Sequence, residues 1–292
     1  MTLKEIEAAD FNLALTLDSG QVFHWEPSGT GYAGMIADRA VYVEQRSEHL
    51  LVSGGAGIAV RKYLALDHPL REICAGFPDD PALNAARDYC RGLRIIRQPL
   101  WECLATFITS SMKQVAHIRQ ISRALRERFG ASATVYGSHV YAFPSAARLA
   151  GANQKQLRDC ALGYRAKNLL LTARLVSSGE AALEGWRQLP DGELRARLCE
   201  LPGVGPKVAN CVMLFAYERL RAFPIDVWIE RVLKEKYFGR KRKITPQKLR
   251  DFCDNYFGEH GGYAQQYLFH HARRTMARKR NAKPTRQVPV SQ

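Results

Sequence analysis

The stretch Leu201-Pro202-Gly203-Val204-Gly205-Pro206-Lys207 constrains this chain most. It lies between two segments with helical hydrophobic spacing. Asp191 to Cys199 leads into it, and Val208, Cys211, Val212 and Phe215 form one stripe after it. Two glycines two apart turn the chain back on itself and exclude one continuous helix. Pro206 suits the first position of the second helix, where its missing N–H costs nothing. In such a turn the free N–H groups at the helix start point outward and bind a phosphate. The turn's carbonyls can hold a monovalent cation that bridges to the same phosphate. Spacing alone also allows an ordinary connection between two helices.

Charge favours the phosphate reading. The 292 residues carry 43 Lys+Arg against 28 Asp+Glu, a formal net charge of +15. Such a surplus points to a polyanionic partner such as nucleic acid or an acidic membrane. No apolar run reaches the ~18 residues a membrane helix needs. Met1 to Asp10 carries Glu5, Glu7 and Asp10 without an apolar stretch, so no signal peptide is expected and the chain reads as intracellular. Its seven cysteines are scattered with no C-x-x-C pair, which argues against a disulfide framework and a cysteine-rich zinc site. They read as small buried hydrophobes.

At ~100–200 residues per domain the length allows two or three domains. The first ~65 residues read as antiparallel sheet. Leu13, Leu15 and Leu17 alternate with polar or small residues. Asp18-Ser19-Gly20 then turns the chain into Gln21 to Trp25. Tyr32 to Ile36, Ala40 to Gln45 and Leu50 to Ser53 follow, and Gly54 to Gly57 is a turn. From about Pro81 the pattern is helical. Trp101, Leu104, Ala105, Ile108 and Met112 share a face, Val115 to Phe129 stops at Gly130, and Leu157 to Leu175 is interrupted at Leu162-Gly163-Tyr164. A helix opens at Asp226 and the last runs from about Tyr263 to Met276. The expected fold is α+β: a sheet domain over 1–80, a two-part helical region over 81–271 with the hairpin unit at 191–217, and a basic mobile tail over 272–292. Arg240-Lys241-Arg242-Lys243 reads as a basic loop, and both basic runs either touch phosphates or are simply solvated.

Lys207 and Asp226 carry the chemistry. Lys207 sits in the first turn of its helix, where the dipole disfavours an ammonium. Burial there would favour the neutral amine, which is a nucleophile and forms Schiff bases. A phosphate-binding or solvated lysine fits the same position. Asp226 is a natural N-cap. A capped carboxylate is also held in place, and an ionised one nearby stabilises the positive sugar that forms when a glycosidic bond breaks.

Leu201-Pro-Gly-Val-Gly-Pro-Lys207-Val-Ala-Asn-Cys211 followed by Phe223-Pro-Ile-Asp226-Val resembles the helix–hairpin–helix DNA glycosylase superfamily. Within it, the chain resembles 8-oxoguanine DNA glycosylases with lyase activity, from about Asn12 to His270. Asp18-Ser19-Gly20-Gln21-Val-Phe23-His-Trp25 matches the family's first turn, where a glycine carbonyl accepts the N7 hydrogen of the lesion; Gly20 is that residue. Arg97-Gln-Pro-Leu-Trp-Glu-Cys-Leu matches the start of the central helices. Leu162-Gly-Tyr164-Arg165-Ala matches the segment that reads the orphaned cytosine. Gly262-Tyr-Ala-Gln265-Gln-Tyr-Leu-Phe269 matches the closing helix of the base pocket.

The resemblance implies Lys207 and Asp226 as catalytic and Gly20, Cys211, Phe215, Gln265 and Phe269 as the pocket. A thiol and an aromatic face can sandwich a flat base while an amide reads its edge, although plain core packing suits Cys211, Phe215 and Phe269 too. It implies DNA contacts from Met112, Lys113, Gln114, His117, Tyr164, Arg165, Gly203, Gly205 and Trp228. It also implies a hairpin cation, monovalent or Ca/Mg, on the carbonyls of Cys199, Leu201 and Val204. The sequence departs from the family at Met112, an apolar wedge or a core residue, at His117 in place of an arginine, at Trp228 in place of histidine, and at Phe215 in place of methionine. Only Cys211 and Cys253 follow Lys207, which leaves no four-cysteine iron–sulfur loop.

The implied protein is a monomeric enzyme on double-stranded DNA with a damaged base. It needs no cofactor and works in a bacterial cytoplasm or nucleoid, or in a nucleus. Two alternatives stay open at this point. One is a glycosylase of the same fold for an oxidised pyrimidine or alkylated purine. The other is a helix–hairpin–helix DNA-binding module without catalysis.

Overall fold

The computed structural model describes residues 2–239 and 244–281, the segment 276–281 as backbone only. The basic run 240–243 and the end of the tail lie outside the described residues. The fold is α+β, with an N-terminal antiparallel sheet ahead of a helical region.

Strands β1 (Leu3–Glu7), β2 (Glu26–Ser28), β3 (Gly31–Ile36), β4 (Arg39–Arg46) and β5 (His49–Ser53) pair antiparallel in the order β1-β5-β4-β3-β2. Alternation along β4 builds two faces. Val41 and Val43 join Leu50, Val52, Val60, Tyr63 and Leu64 in one core. Tyr42 points the other way and packs with Ala33 and Met35 under Val135 and Val140. Those two valines belong to a hairpin, β6 (Ser132–Val135) and β7 (Ser138–Tyr141), sent back from the helical region.

The opening segment departs from the sequence reading. Leu13 to Leu17 is not a strand but a short helix, α1 (Leu13–Asp18), capped by Asn12, whose side chain accepts from Leu15 N–H at 2.9 Å. The buried positions are Leu13, Thr16 and Leu17, a helical i, i+3, i+4 set. Thr16 hid the stripe because its buried hydroxyl is polar; it accepts from the Arg94 N–H at 3.2 Å. Gln21 to Trp25 also forms no strand. Side chains take the place of the ladder there: Gln21 accepts from Ile96 N–H at 2.7 Å, and Gln98 donates to the Gln21 carbonyl at 2.7 Å.

Helices begin earlier than Pro81, at α2 (Gly57–Tyr63) and α3 (Leu70–Ala75), before α4 (Pro81–Tyr89). Then come α5 (Leu100–Ser110) and α6 (Val115–Phe129). After the β6–β7 hairpin follow α7 (Ala146–Ala150), α8 (Gln154–Leu157) and α9 (Arg165–Ser178), the last two joined through Arg158–Leu162. The rest is α10 (Asp191–Cys199), α11 (Pro206–Phe215), α12 (Val227–Leu233), α13 (Pro246–Tyr256) and α14 (Gly261–Asn281). Helix α14 runs past Met276, so the tail expected from residue 272 continues as helix to Asn281. One apolar core joins α5, α9, α10, α11 and α14. No helix among the described residues is long and apolar enough to cross a membrane.

Candidate active site

Helices α10 and α11 meet at the Gly203–Gly205 hairpin. Val204 N–H donates to the Leu201 carbonyl at 3.0 Å, and Ala209 N–H to Gly205 at 2.9 Å. The two glycines do different work. Gly203 has φ +84, and a Cβ there would lie 2.9 Å from Asn168 Cβ and 3.2 Å from Ile108 Cγ2. Its left-handed backbone and its close approach both require glycine. Gly205 is extended and open, with nothing within 4 Å of a Cβ position. Of the carbonyls expected to hold a cation, Leu201 already closes the turn and keeps one lone pair. Pro206 opens α11 at its first turn, as the sequence requires.

Lys207 therefore leaves α11 at its start and reaches toward α5. Its Nζ lies 3.4 Å from Ser110 Oγ and 5.1 Å from the centre of the Phe107 ring. Phe107 stacks on Phe215 with ring centres 5.4 Å apart and 14° between planes. One turn along α11, the Cys211 thiol is buried. Desolvation pushes its pKa up to about 11 against the pull of Lys207. It stays neutral and unreactive.

Asp226 caps α12, accepting from Ile229 N–H at 2.9 Å. Burial raises its pKa; the Ile229 N–H and the Lys207 charge oppose that rise. Lys207 thus lies near enough to influence both the Cys211 thiol and the Asp226 carboxylate, and these groups gather at two helix starts whose Lys207 and Asp226 are 19 positions apart.

A second group of expected residues comes from the two ends of the chain, at Gly20 and on α14. Gly20 has φ +89, and a Cβ there would lie 3.1 Å from Phe269 Cε1. Sequence reasoning missed what holds this turn. Gln266 donates to the Ser19 carbonyl at 3.0 Å, Gln98 to the Gln21 carbonyl at 2.7 Å, and Arg273 to the Asp18 carbonyl. The flanking carbonyls are all taken. The Gly20 carbonyl accepts no hydrogen bond among the described residues. Gln21 locks the turn from inside, donating to the Ser19 hydroxyl at 2.9 Å and the Arg94 carbonyl at 2.8 Å. On α14, Gln265 is 4 % exposed and its Oε1 has no partner among the described residues. A buried amide oxygen without a donor is costly, at about 1–3 kcal/mol, and marks a place for a ligand donor.

Met112 is not a core residue: it is 93 % exposed, at φ +55, in the turn between α5 and α6. Lys113, Gln114 and His117 are exposed beside it. Tyr164 is exposed, whereas Arg165 is buried. Its guanidinium lies 4.3 Å from the Tyr164 ring centre and its Nε donates to the Ser111 carbonyl at 2.8 Å. Arg165 thus ties the Tyr164 segment to the root of the Met112 turn. Trp228 is half-buried, with the Arg231 guanidinium 5.5 Å from its ring.

Comparison with known proteins matches this layout. Residues 4–104 fit the N-terminal domain of 8-oxoguanine DNA glycosylase, and residues 105–257 fit the HhH-GPD superfamily of base excision DNA repair proteins. An N-glycosylase/DNA lyase of Arabidopsis thaliana is 29% identical, over 89% of this chain and 77% of its own. The structure of MBOgg1 with a low-affinity DNA ligand superposes with a TM-score of 0.89 at 32% identity, over 94% of this chain and 97% of that one. An 8-oxoguanine glycosylase/lyase of Clostridium acetobutylicum, in complex with double-stranded DNA containing cytosine opposite 8-oxoguanine, gives 0.86 at 30% identity, over 94% and 99%. With both halves matched, this chain belongs to the 8-oxoguanine DNA glycosylase family of the HhH-GPD base excision repair superfamily.

Proposed function

We propose that this protein removes 8-oxoguanine from duplex DNA and then nicks the abasic strand, with Lys207 as nucleophile. Its class, a DNA glycosylase with lyase activity, follows from the family. The observation that carries the substrate is the Gly20 carbonyl, which accepts no hydrogen bond among the described residues while those of Asp18, Ser19 and Gln21 are taken, on a turn that approaches Phe269. Guanine has a bare N7 and would face that oxygen with a lone pair. 8-Oxoguanine carries hydrogen at N7 and donates to it.

The DNA docks by its phosphates on the hairpin N–H groups of Gly203 and Gly205 and on exposed Lys113, Gln114 and His117. A hairpin cation on the Cys199, Leu201 and Val204 carbonyls would add to that phosphate contact. Trp228, backed by Arg231, faces the same strand. Met112 enters the stack as the lesion leaves, and Tyr164 with Arg165 supports the orphaned partner. The flipped base lies between Phe269 and the Cys211 thiol, against Phe215, and Gln265 Oε1 accepts from its Watson–Crick edge.

The Lys207 amine attacks C1′ and the C1′–N9 bond breaks, its electron pair leaving with the base, which takes up a proton. Asp226 stabilises the positive charge that develops on the sugar. The amine loses a proton, and its lone pair then forms the C1′=N bond as the C1′–O4′ bond breaks and O4′ takes up a proton, opening the sugar to a protonated Schiff base. The protonated imine then acidifies C2′, and loss of that proton expels the 3′-phosphate. These steps draw on the chain's own amine and carboxylate.

Borohydride trapping tests the reading. A duplex with one 8-oxoguanine opposite cytosine should give a covalent protein–DNA band on a denaturing gel. In Lys207→Gln the band should vanish and nicking fall by about 10³-fold or more, with damaged duplex still bound. Trapping on an abasic duplex but not on 8-oxoguanine would reassign the base. Nicking retained in the variant would sink the mechanism.

A further inference from the structure

Arg273, already seen to bond the Asp18 carbonyl, also reaches the Phe269 ring. It lies one turn beyond Phe269 on α14, and its guanidinium carbon is 5.7 Å from the centre of that ring. Its Nη2 donates to the Asp18 carbonyl, two residues before Gly20. Its Nη1 lies 3.6 Å from where a Gly20 Cβ would be. The side chain therefore touches both walls of the recognition end: the turn that presents the free carbonyl and the ring on which the base stacks.

The surroundings suit a clamp better than a surface charge. The Asp18 carboxylate is held from the other side by Arg119, at 2.7 Å, and by Arg274. The neighbouring His270 is buried, with its Nδ1 3.4 Å from Arg273 Nη2. Arg273 Nε is buried and has no partner among the described residues. A side chain retained for packing alone gains nothing from an orphaned donor in that position. A planar fork that both stacks and donates is a property arginine has and lysine lacks.

We propose that Arg273 is a positioning residue for base recognition, fixing the Gly20 carbonyl against the Phe269 ring by bridging the turn and the aromatic wall. This rests on the assignment of 8-oxoguanine as the base. It acts through Gly20 and Phe269, not on the reacting sugar. Loss of the bridge leaves Lys207 and Asp226 in place but lets the carbonyl drift. A drift of about 1 Å is enough to cost on the order of 100-fold in rate.

The test compares two single-turnover rates in the full-length enzyme. One is excision from a duplex with 8-oxoguanine opposite cytosine. The other is nicking of a preformed abasic duplex, which has no base to read. Arg273→Met keeps most of the stem and removes the donors. Its excision rate should fall about 10- to 100-fold while abasic nicking stays within about 2-fold. Arg273→Lys keeps the charge without the fork and should recover only part of the loss. Equal losses in both rates, or none in either, would overturn the proposal. So would full rescue by lysine, which would make charge alone sufficient. A wild-type protein that nicks the abasic duplex and leaves 8-oxoguanine intact would overturn the substrate assignment, and Arg273 with it.

Discussion

The two ends of the proposed site, one for catalysis and one for base recognition, are built on different principles. The catalytic end is local: Lys207, Cys211 and Asp226 come from one hairpin, one helix and one cap. The recognition end is assembled from far apart. Gly20 is brought to Gln265 and Phe269 by bonds such as Gln266 to Ser19, which spans 247 positions. Local backbone chemistry suffices to place an amine and a carboxylate. Reading a base needs a rigid distance between two walls, and tertiary contacts supply it.

Asp226→Asn gives the largest effect that separates the two ends. Asparagine keeps the oxygen that caps α12, so the helix start is preserved. It removes the charge that supports the sugar, and excision should fall by about 10²- to 10³-fold. Stability should move the other way. The folded pKa of Asp226 is raised by burial, so the folded state holds the proton to higher pH than the unfolded chain. The ionised form therefore costs stability above that pKa, and the variant removes the cost. A melting temperature unchanged or higher, with activity lost, is the expected pair. Reduced melting together with full activity would show that Asp226 is only a cap.

Gly20→Ala strikes the opposite end, with a somewhat smaller effect. Alanine in the left-handed region costs about 1–2 kcal/mol, and its methyl would meet Phe269 at 3.1 Å. Excision should fall by about 100-fold as the carbonyl shifts, with abasic nicking changed by no more than about 2-fold. Single-turnover rates on the two duplexes check this. If both rates fall alike, the division between the ends is wrong.

The same division governs what the sequence makes legible. The hairpin is readable because glycine, Pro206 and Asp226 each act within a few residues, and α6, α10 and the Asp226 cap fall where the spacing puts them. Gly20, Gln265 and Phe269 come from the resemblance; helical spacing puts Gln265 and Phe269 on one face, but no spacing connects them to Gly20. The bonds from Gln98, Gln266 and Arg273 carry no local signature at all. Strand β1 was missed because LKEIE is an edge with three charges in five residues. The β6–β7 hairpin was missed because its turn places Tyr136 at φ +50 before Gly137 at φ +78. A tyrosine in that conformation hides the usual hairpin signal. The glycine after it was the one available cue.

Acid separates the two ends by the smallest margin. Excision that needs an ionised Asp226 is lost as pH falls toward its raised pKa, sooner than for an ordinary carboxylate. His270, behind Phe269, shifts the opposite way. Burial pushes it down to about 4 from 6.5, and Arg273, Arg274 and His271 add to the push while Asp18 opposes it. A depressed base means that the unfolded chain takes its proton near 6.5 while the folded protein waits until about 4. The stability due to neutral His270 is therefore whole above about 6.5 and is lost on going down to about 4. His24, also buried and lowered, gives a slope of the same sign and remains in any His270 variant. His270→Phe should thus lessen, without abolishing, the fall in melting temperature across that window, by on the order of a few degrees. It should leave the acid limb of excision where Asp226 sets it. A variant that moved the acid limb while leaving the melting slope intact would couple the recognition end to the charge at the catalytic end, and the two could no longer be treated as separate constructions.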